Sequence, residues 1–156
     1  MKVLTVIAIM MGAGLNAQNA FVDGINETKD VEWKDGKDHF HAFGFKIEFI
    51  GTCSAKYTAT EMTFENGAED SYRRETNFNW IDIASIEVDT VKNILRFNSH
   101  NPMPCNKIDT DTKSITKDTE NDTLNIYYKN TSLCKNAAKW ALEHIKTCGG
   151  KALLIN

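Results

Sequence analysis

The sequence predicts an α+β fold: a curved antiparallel sheet or partly open β-barrel of about six or seven strands, capped by one C-terminal α-helix. Three observations carry this expectation. From His39 onward apolar and polar residues alternate in a succession of short runs, turn residues separate those runs, and one amphipathic stretch near the C-terminus has helical period. The 156 residues, 42% hydrophobic and 25% charged, suit a single domain that buries a core. The formal net charge of -3 is spread along the chain, so no basic patch points to nucleic acid.

The chain opens with segments that stand apart from that domain. Met1 and Lys2 give a short positive start, residues 3–11 an apolar run, Gly12-Ala13-Gly14 a break, and Leu15-Asn16-Ala17 a small-residue cleavage site. Residues 1–17 are therefore expected to be a signal peptide cut after Ala17, and the product to be exported, periplasmic or secreted. The run is well short of the roughly 18 residues a membrane span needs, and no later stretch approaches that length, so no integral membrane span is expected. Residues 18–38 are polar, with isolated apolar positions at Phe21, Val22, Ile25, Val31 and Trp33, the pattern of a loosely attached arm that Trp33 docks.

The domain itself is expected over residues 39–148. Phe43, Phe45, Ile47 and Phe49 alternate with Gly44, Lys46 and Glu48, the period of a half-buried strand. Ile50-Gly51-Thr52 end that run, residues 55–65, rich in Thr and aromatics, close at the turn dipeptide Asn66-Gly67, and the two runs read as a β-hairpin. In residues 71–80, Tyr72, Thr76, Phe78 and Trp80 share one parity, but Ile81, Ile83, Ile86 and Val88 fall out of phase. One extra residue near Ile81-Asp82, as a bulge or tight turn, repairs the phase. Residues 93–98 read as a short strand. Residues 99–123 hold Pro102, Pro104 and a polar tract, and read as a long loop or an exposed hairpin around Ile108 and Ile115; a last strand follows at residues 123–129.

Residues 132–148 read as the helix. Thr131-Ser132 offer hydroxyls for the N-cap, and Gly149-Gly150 provide a left-handed stop before a short tail at 149–156. At about 100° per residue, Leu133, Cys134, Ala137, Ala138, Trp140, Ala141, Leu142, Ile145 and Cys148 gather on one half of the wheel, and Lys135, Asn136, Lys139, Glu143 and Lys146 on the other. His144 lies inside the apolar boundary, where a hydrogen-bonded structural histidine is expected.

Several short strands followed by one C-terminal helix, together with residues 77–97 (NFNWIDIASIEVDTVKNILRF), give a pattern that resembles pleckstrin-homology-like domains. The resemblance covers about residues 40–148 and implies a binding or scaffolding module; fold alone does not fix function. The basic phosphoinositide pocket of that superfamily has no counterpart, because Arg73 and Arg74 are adjacent and point to opposite faces of a strand.

Four cysteines in an exported chain allow up to two disulfides. Cys134 and Cys148 lie on one helix about 21 Å apart along its axis, far beyond the roughly 4.4–6.8 Å of a bridged pair. Two complete pairings remain: Cys53 with Cys134 and Cys105 with Cys148, or Cys53 with Cys148 and Cys105 with Cys134. Four buried thiols are the rival expectation. His39 and His41 would project from one face of a strand, where Asp35 or Asp38 could complete a metal site. Asp109, Asp111, Asp118, Glu120 and Asp122 lack the spacing of a calcium loop. Cys53 is a candidate nucleophile at a strand end, without an identifiable base. Sequons stand at Asn26, Asn121 and Asn130.

No catalytic residue and no cofactor is assigned. The leading expectation is a monomeric, exported, non-enzymatic binding or scaffolding domain for a protein, a peptide or an envelope component. The alternatives are a small metal-dependent hydrolase using His39 and His41 with Asp38, and an inhibitor of a periplasmic enzyme.

Overall fold

A computed structural model describes residue 18, residues 20–65 and residues 68–155, with every side chain of that set except those at 35, 38, 65, 68 and 117–120. The expected signal peptide lies outside the described residues, as does the Asn66-Gly67 dipeptide. In chain order the elements are α1 (residues 20–26), β1 (Asp30–Asp35), β2 (Asp38–Phe49), β3 (Ser54–Glu65) and β4 (Ala68–Asn79). A 3-10 turn (Trp80–Asp82), β5 (Ile83–Asp89), β6 (Ile94–Asp109), β7 (Ile115–Tyr127), α2 (Thr131–Thr147) and β8 (Leu153–Ile155) follow.

Strands β1 to β4 form an antiparallel meander. Beyond it, β4 and β5 share one side of the long strand β6: residues 72–76 face 109–105, and residues 83–89 face 99–94. β7 occupies the other side of β6, and β8 adds to β5 in parallel. The outcome is the expected α+β fold, a sheet curled into an open half-barrel with a C-terminal helix, although β8 makes the sheet mixed and α1 adds a second helix.

Two local irregularities produce the curl. The β2–β3 register shifts between Phe43 and Lys46, where Gly44 takes φ +66°, a conformation that is strained for residues with a Cβ. Such a bulge bends the strand and exchanges its faces. Ala42 is buried before it, Phe45 and Ile47 after it, and Phe43, expected in phase with them, is only half-buried. The second irregularity is the 3-10 turn, which breaks the phase where the sequence required it: Trp80 goes inward and Ile81 outward. A further register shift between Ile83 and Ser85 then sets Ile86 and Val88 on the buried face.

The concave side of the half-barrel is filled by α1 and α2. From α2, Cys134, Ala137, Ala138, Ala141 and Ile145 are buried, and the three alanines let the helix axis approach the sheet closely. Its cap is Asn130, whose side-chain oxygen accepts from the Leu133 backbone N–H at 2.9 Å. The hydroxyl expected to cap, on Thr131, is instead drawn to Asn93 Oδ1 at 2.7 Å, in the β5–β6 turn. At the other end Gly149 stops the helix at φ +86°, and a Cβ on Gly150 would collide with Ile145 and crowd the backbone of Ile81.

Residues 18–38 are not an arm. Phe21 (1% exposed) and Ile25 (0%) of α1 lie in the main core, and residues 30–35 pair fully with β2. About two turns of helix have little stability alone, so their order derives from the tertiary contacts of those side chains. The proline-bearing segment also differs from a loop. It forms the C-terminal half of β6, and Pro102 lies where pairing with β7 is interrupted between Asn98 and Met103, a place where a missing N–H costs no ladder bond. Integration of α1 is tested by Phe21→Ala, which is expected to destabilise the fold by about 3–5 kcal/mol in urea unfolding. A detached arm would give a change near zero.

Candidate functional site

Toward the hairpin ends the concave face turns from aromatic to polar. Tyr57, Ala59 and Glu61 of β3, Arg74 and Thr76 of β4, and Asn121, Thr123, Leu124 and Asn125 of β7 enclose a cleft of about 40 Å³. That is room for about three water molecules, so a partner enters with little more than one polar group unless the edges part. The register places these residues together: Glu61 faces Tyr72 and Ala59 faces Arg74 across β3–β4, and alternation directs both pairs inward.

The charges here are organised around Tyr72. Its hydroxyl donates to Glu61 Oε2 at 2.9 Å, Arg74 Nη2 approaches the same hydroxyl at 3.5 Å, and Arg74 Nη1 stands 3.7 Å from Glu61 Oε2. Lys107 Nζ sits 3.8 Å from the Tyr72 ring centroid and 3.2 Å from Asp70 Oδ2. Burial, and then the Glu61 carboxylate, push the Tyr72 phenol far above its usual range. Tyr127 is raised in the same way, while Tyr57 is raised by burial and then by Tyr127. These phenols stay neutral and serve as hydrogen-bonding groups rather than as bases. A second polar ladder adjoins the cleft at Asn125: Glu87 accepts from Arg96 at 2.9 Å and from Asn98 at 2.8 Å, and Arg96 reaches Asn125 at 3.2 Å.

The residues singled out in the sequence are distributed over three places. His39 and His41 do project from one face of β2, but on the outer side of the sheet, away from the cleft. Their acidic neighbours are Asp30 and Glu32 of β1, at 3.7 Å from His41 and 3.6 Å from His39 respectively. The side chain of Asp38 lies outside the described residues. Asp30 and Glu32 were hidden by the arm assignment; the alternation Asp30-x-Glu32-x-Lys34 is the signal that would have placed them on a strand. Asp109 is a turn residue: its Oδ1 accepts from the backbone of Thr112 and Asp111 and from the Thr112 hydroxyl, which lowers its pKa.

The cysteines form the third group. Cys53 and Cys148 make a disulfide, with Cα atoms 5.6 Å apart, and so the sulfur considered as a nucleophile is oxidised. The companion bridge of that pairing, Cys105 with Cys134, does not form, and the reading of four thiols fails as well. Cys105 belongs to the β6 half that pairs with β4 and takes the Thr76 hydroxyl at 3.4 Å, whereas Cys134 sits in the first turn of α2. Burial, followed by the Asp89 charge, pushes the Cys134 thiol up to about 12, which leaves it inert. His144 has the structural role expected of it: Nε2 lies 3.0 Å from the Thr52 carbonyl and its ring stacks on Trp140 at 4.8 Å.

No family model, curated protein or solved structure matches this chain.

Two measurements check the fastening of α2. Alkylation in denaturant labels two cysteines without reductant and four after reduction, as one bridge requires; replacing Cys53 and Cys148 by Ser lowers the unfolding free energy by about 2–4 kcal/mol. The second follows from His144, whose pKa is lowered by burial against the opposing pull of the Thr52 carbonyl. The fold holds the neutral ring, so the unfolded chain binds more protons and stability falls as the pH drops through 6.5. Between about pH 7 and about pH 5, His144→Gln is expected to lose less stability than the parent.

Proposed function

We propose that this chain is an exported binding domain that takes an extended peptide segment of a partner protein along the outer edge of β7, with a polar group of that segment in the adjoining cleft. The observation that carries this is the edge itself. Among the described residues β7 pairs with β6 on one side, and Asn121, Thr123, Leu124 and Asn125 border the Glu61–Arg74 cleft. Strand addition draws affinity from backbone hydrogen bonds and selectivity from pockets beside the edge.

Three strands, β1, β7 and β8, have a one-sided edge among the described residues, and they differ in suitability. β8 has three residues, and β1 has six, with Asp30, Glu32 and Lys34 on its outer face, the usual protection of an edge against pairing. β7 runs for 13 residues and shows Ile115 at 68% exposure near its start. The cleft offers a carboxylate, a guanidinium and carboxamides side by side, a set that complements both the donors and the acceptors of a peptide. The neutral tyrosines, the inert Cys134 and the oxidised Cys53 favour binding over turnover. The half-barrel with its C-terminal helix is also the arrangement behind the pleckstrin-homology-like resemblance, which adds the precedent of a binding module.

The test is hydrogen exchange on the mature domain with peptides selected from a displayed random library. Slowed exchange of the β7 amides at residues 121–125 is expected, with Arg74→Ala altering the charge preference of the selected peptides. Selected ligands that protect α2 or β1 and leave β7 unchanged would overturn the proposal.

A further inference from the structure

On the outer face at the opposite edge of the sheet, antiparallel pairing sets Glu32 across from His41 and Lys34 across from His39. Strand alternation then brings Asp30, Glu32, His39 and His41 to one side. One ligand atom each from Asp30, Glu32 and His41 lies within 4.8 Å of the others. The contacts are 3.7 Å from His41 Nε2 to Asp30 Oδ2 and 3.6 Å from His39 Nε2 to Glu32 Oε2.

These separations are too long for hydrogen bonds. They are close to the roughly 3.3 Å between two donors that each sit about 2.0 Å from a tetrahedral ion. A second observation points the same way: the His41 side chain is 26% exposed, but its Nε2 atom is shielded from water and has no hydrogen-bond partner among the described residues. A buried imidazole nitrogen ordinarily finds one. The carboxylates beside it are open to solvent, at 63% exposure for Asp30 and 58% for Glu32, so an ion is first met by them and reaches the nitrogen when these mobile side chains part. Ring contacts hold the imidazoles in place, His41 on Phe43 at 5.2 Å and His39 on Phe64 at 6.0 Å.

We propose that Asp30, Glu32 and His41 form a site for a divalent transition ion, with zinc as the natural probe, and that His39 supports it through Glu32. Two carboxylates supply the charge to balance a dication, and the imidazole nitrogen selects against calcium and magnesium, which require oxygen donors. Three protein ligands leave a fourth position for water. The ion joins two residues of β1 to one of β2 and so clamps the edge strand that carries Trp33. The site lies on the outer face of β1 and β2, not in the cleft beside β7, and its test reads zinc binding and not peptide binding.

The test uses chelator-treated, tag-free mature protein titrated with zinc chloride against a chromophoric competitor. One equivalent is expected to bind in the micromolar range or tighter, and zinc is expected to raise the melting temperature. His41→Ala weakens binding by at least about tenfold and abolishes the thermal shift, Glu32→Gln does so with minimal change of shape, and His39→Ala has a smaller effect. His100→Ala, on β6, changes neither readout. Circular dichroism confirms that each variant is folded. Absence of stoichiometric zinc in the parent, or undiminished binding by folded His41→Ala and Glu32→Gln, would overturn the site.

Discussion

The structure depends on the burial of one indole. Trp80 is 0% exposed and occupies the 3-10 turn at which the inner strand face of β4 ends and that of β5 begins. Its ring meets Phe78 at 5.0 Å, Phe97 at 5.5 Å, Phe49 at 6.1 Å, Phe21 at 5.9 Å, and Trp140 and His144 at 5.6 and 5.1 Å. Sheet, α1 and α2 therefore share one packing centre, and most of these contacts are edge-on, the geometry that the ring quadrupoles favour. The cost is visible in Trp80 Nε1, which is buried without a hydrogen-bond partner among the described residues. The covalent and polar fastenings are arranged close by. Trp80 N–H donates to the Cys53 carbonyl at 2.9 Å, Cys53 is bonded to Cys148, and the Thr52 carbonyl takes His144. The disulfide closes a separation of 95 residues, so its effect on the unfolded chain is near the upper end for such bridges.

How much of this could be read from the residues depends on how far each signal extends. The wheel of α2 was legible because its apolar face repeats over four turns, and the β2–β3 hairpin because two strand-like runs flank a break at Ile50-Gly51-Thr52. The break at Ile81-Asp82 was legible as a conflict of phase, though its form as a 3-10 turn was not. What stayed hidden rests on contacts distant in sequence. Phe21 and Ile25 are a helical pair only four residues apart, and Phe21 packs against Trp80, Tyr128 and Trp140, all distant in sequence. The bulge at Gly44 moved Phe43 to the outer face against a clean odd-parity pattern. At the histidine cluster the imidazoles were visible as an i, i+2 pair, but their carboxylates belong to a strand that is defined by its pairing with β2 and by the packing of Trp33. Among the cysteines, spacing excluded one pairing; that a single bridge forms, Cys53 with Cys148, follows from the placement of Cys105 in the half of β6 that pairs with β4.

The concave face follows a gradient with an energetic reason. Around Trp80 it is aromatic and dry. Farther along β3 and β4 the inward positions become Thr76, Arg74, Glu61 and Tyr72, and full burial of such charges would cost more than their pairing returns. They are stable because the barrel is open there and water reaches them. Lys107 over the Tyr72 ring shows the compromise, its charge held by an aromatic face on one side and Asp70 on the other.

Openness is in turn set by how the two long edges meet. β1 and β7 approach each other through side chains, Trp33 lying between Phe40 at 5.3 Å and Tyr127 at 5.5 Å, and no β1–β7 ladder exists among the described residues. An aromatic pair contributes about 0.5–1.5 kcal/mol beyond its area, whereas a strand pair along a 13-residue edge would contribute several backbone hydrogen bonds, each net about 0.5–1.5 kcal/mol. Closure through Trp33 is thus a weak latch at one end of the seam, and the backbone donors and acceptors along the rest of β7 remain to be satisfied by water or by another chain. The same difference explains why fixing β1 to β2 matters: whatever holds β1 in register also holds Trp33 against Tyr127, and with it the width of the seam beside the cleft.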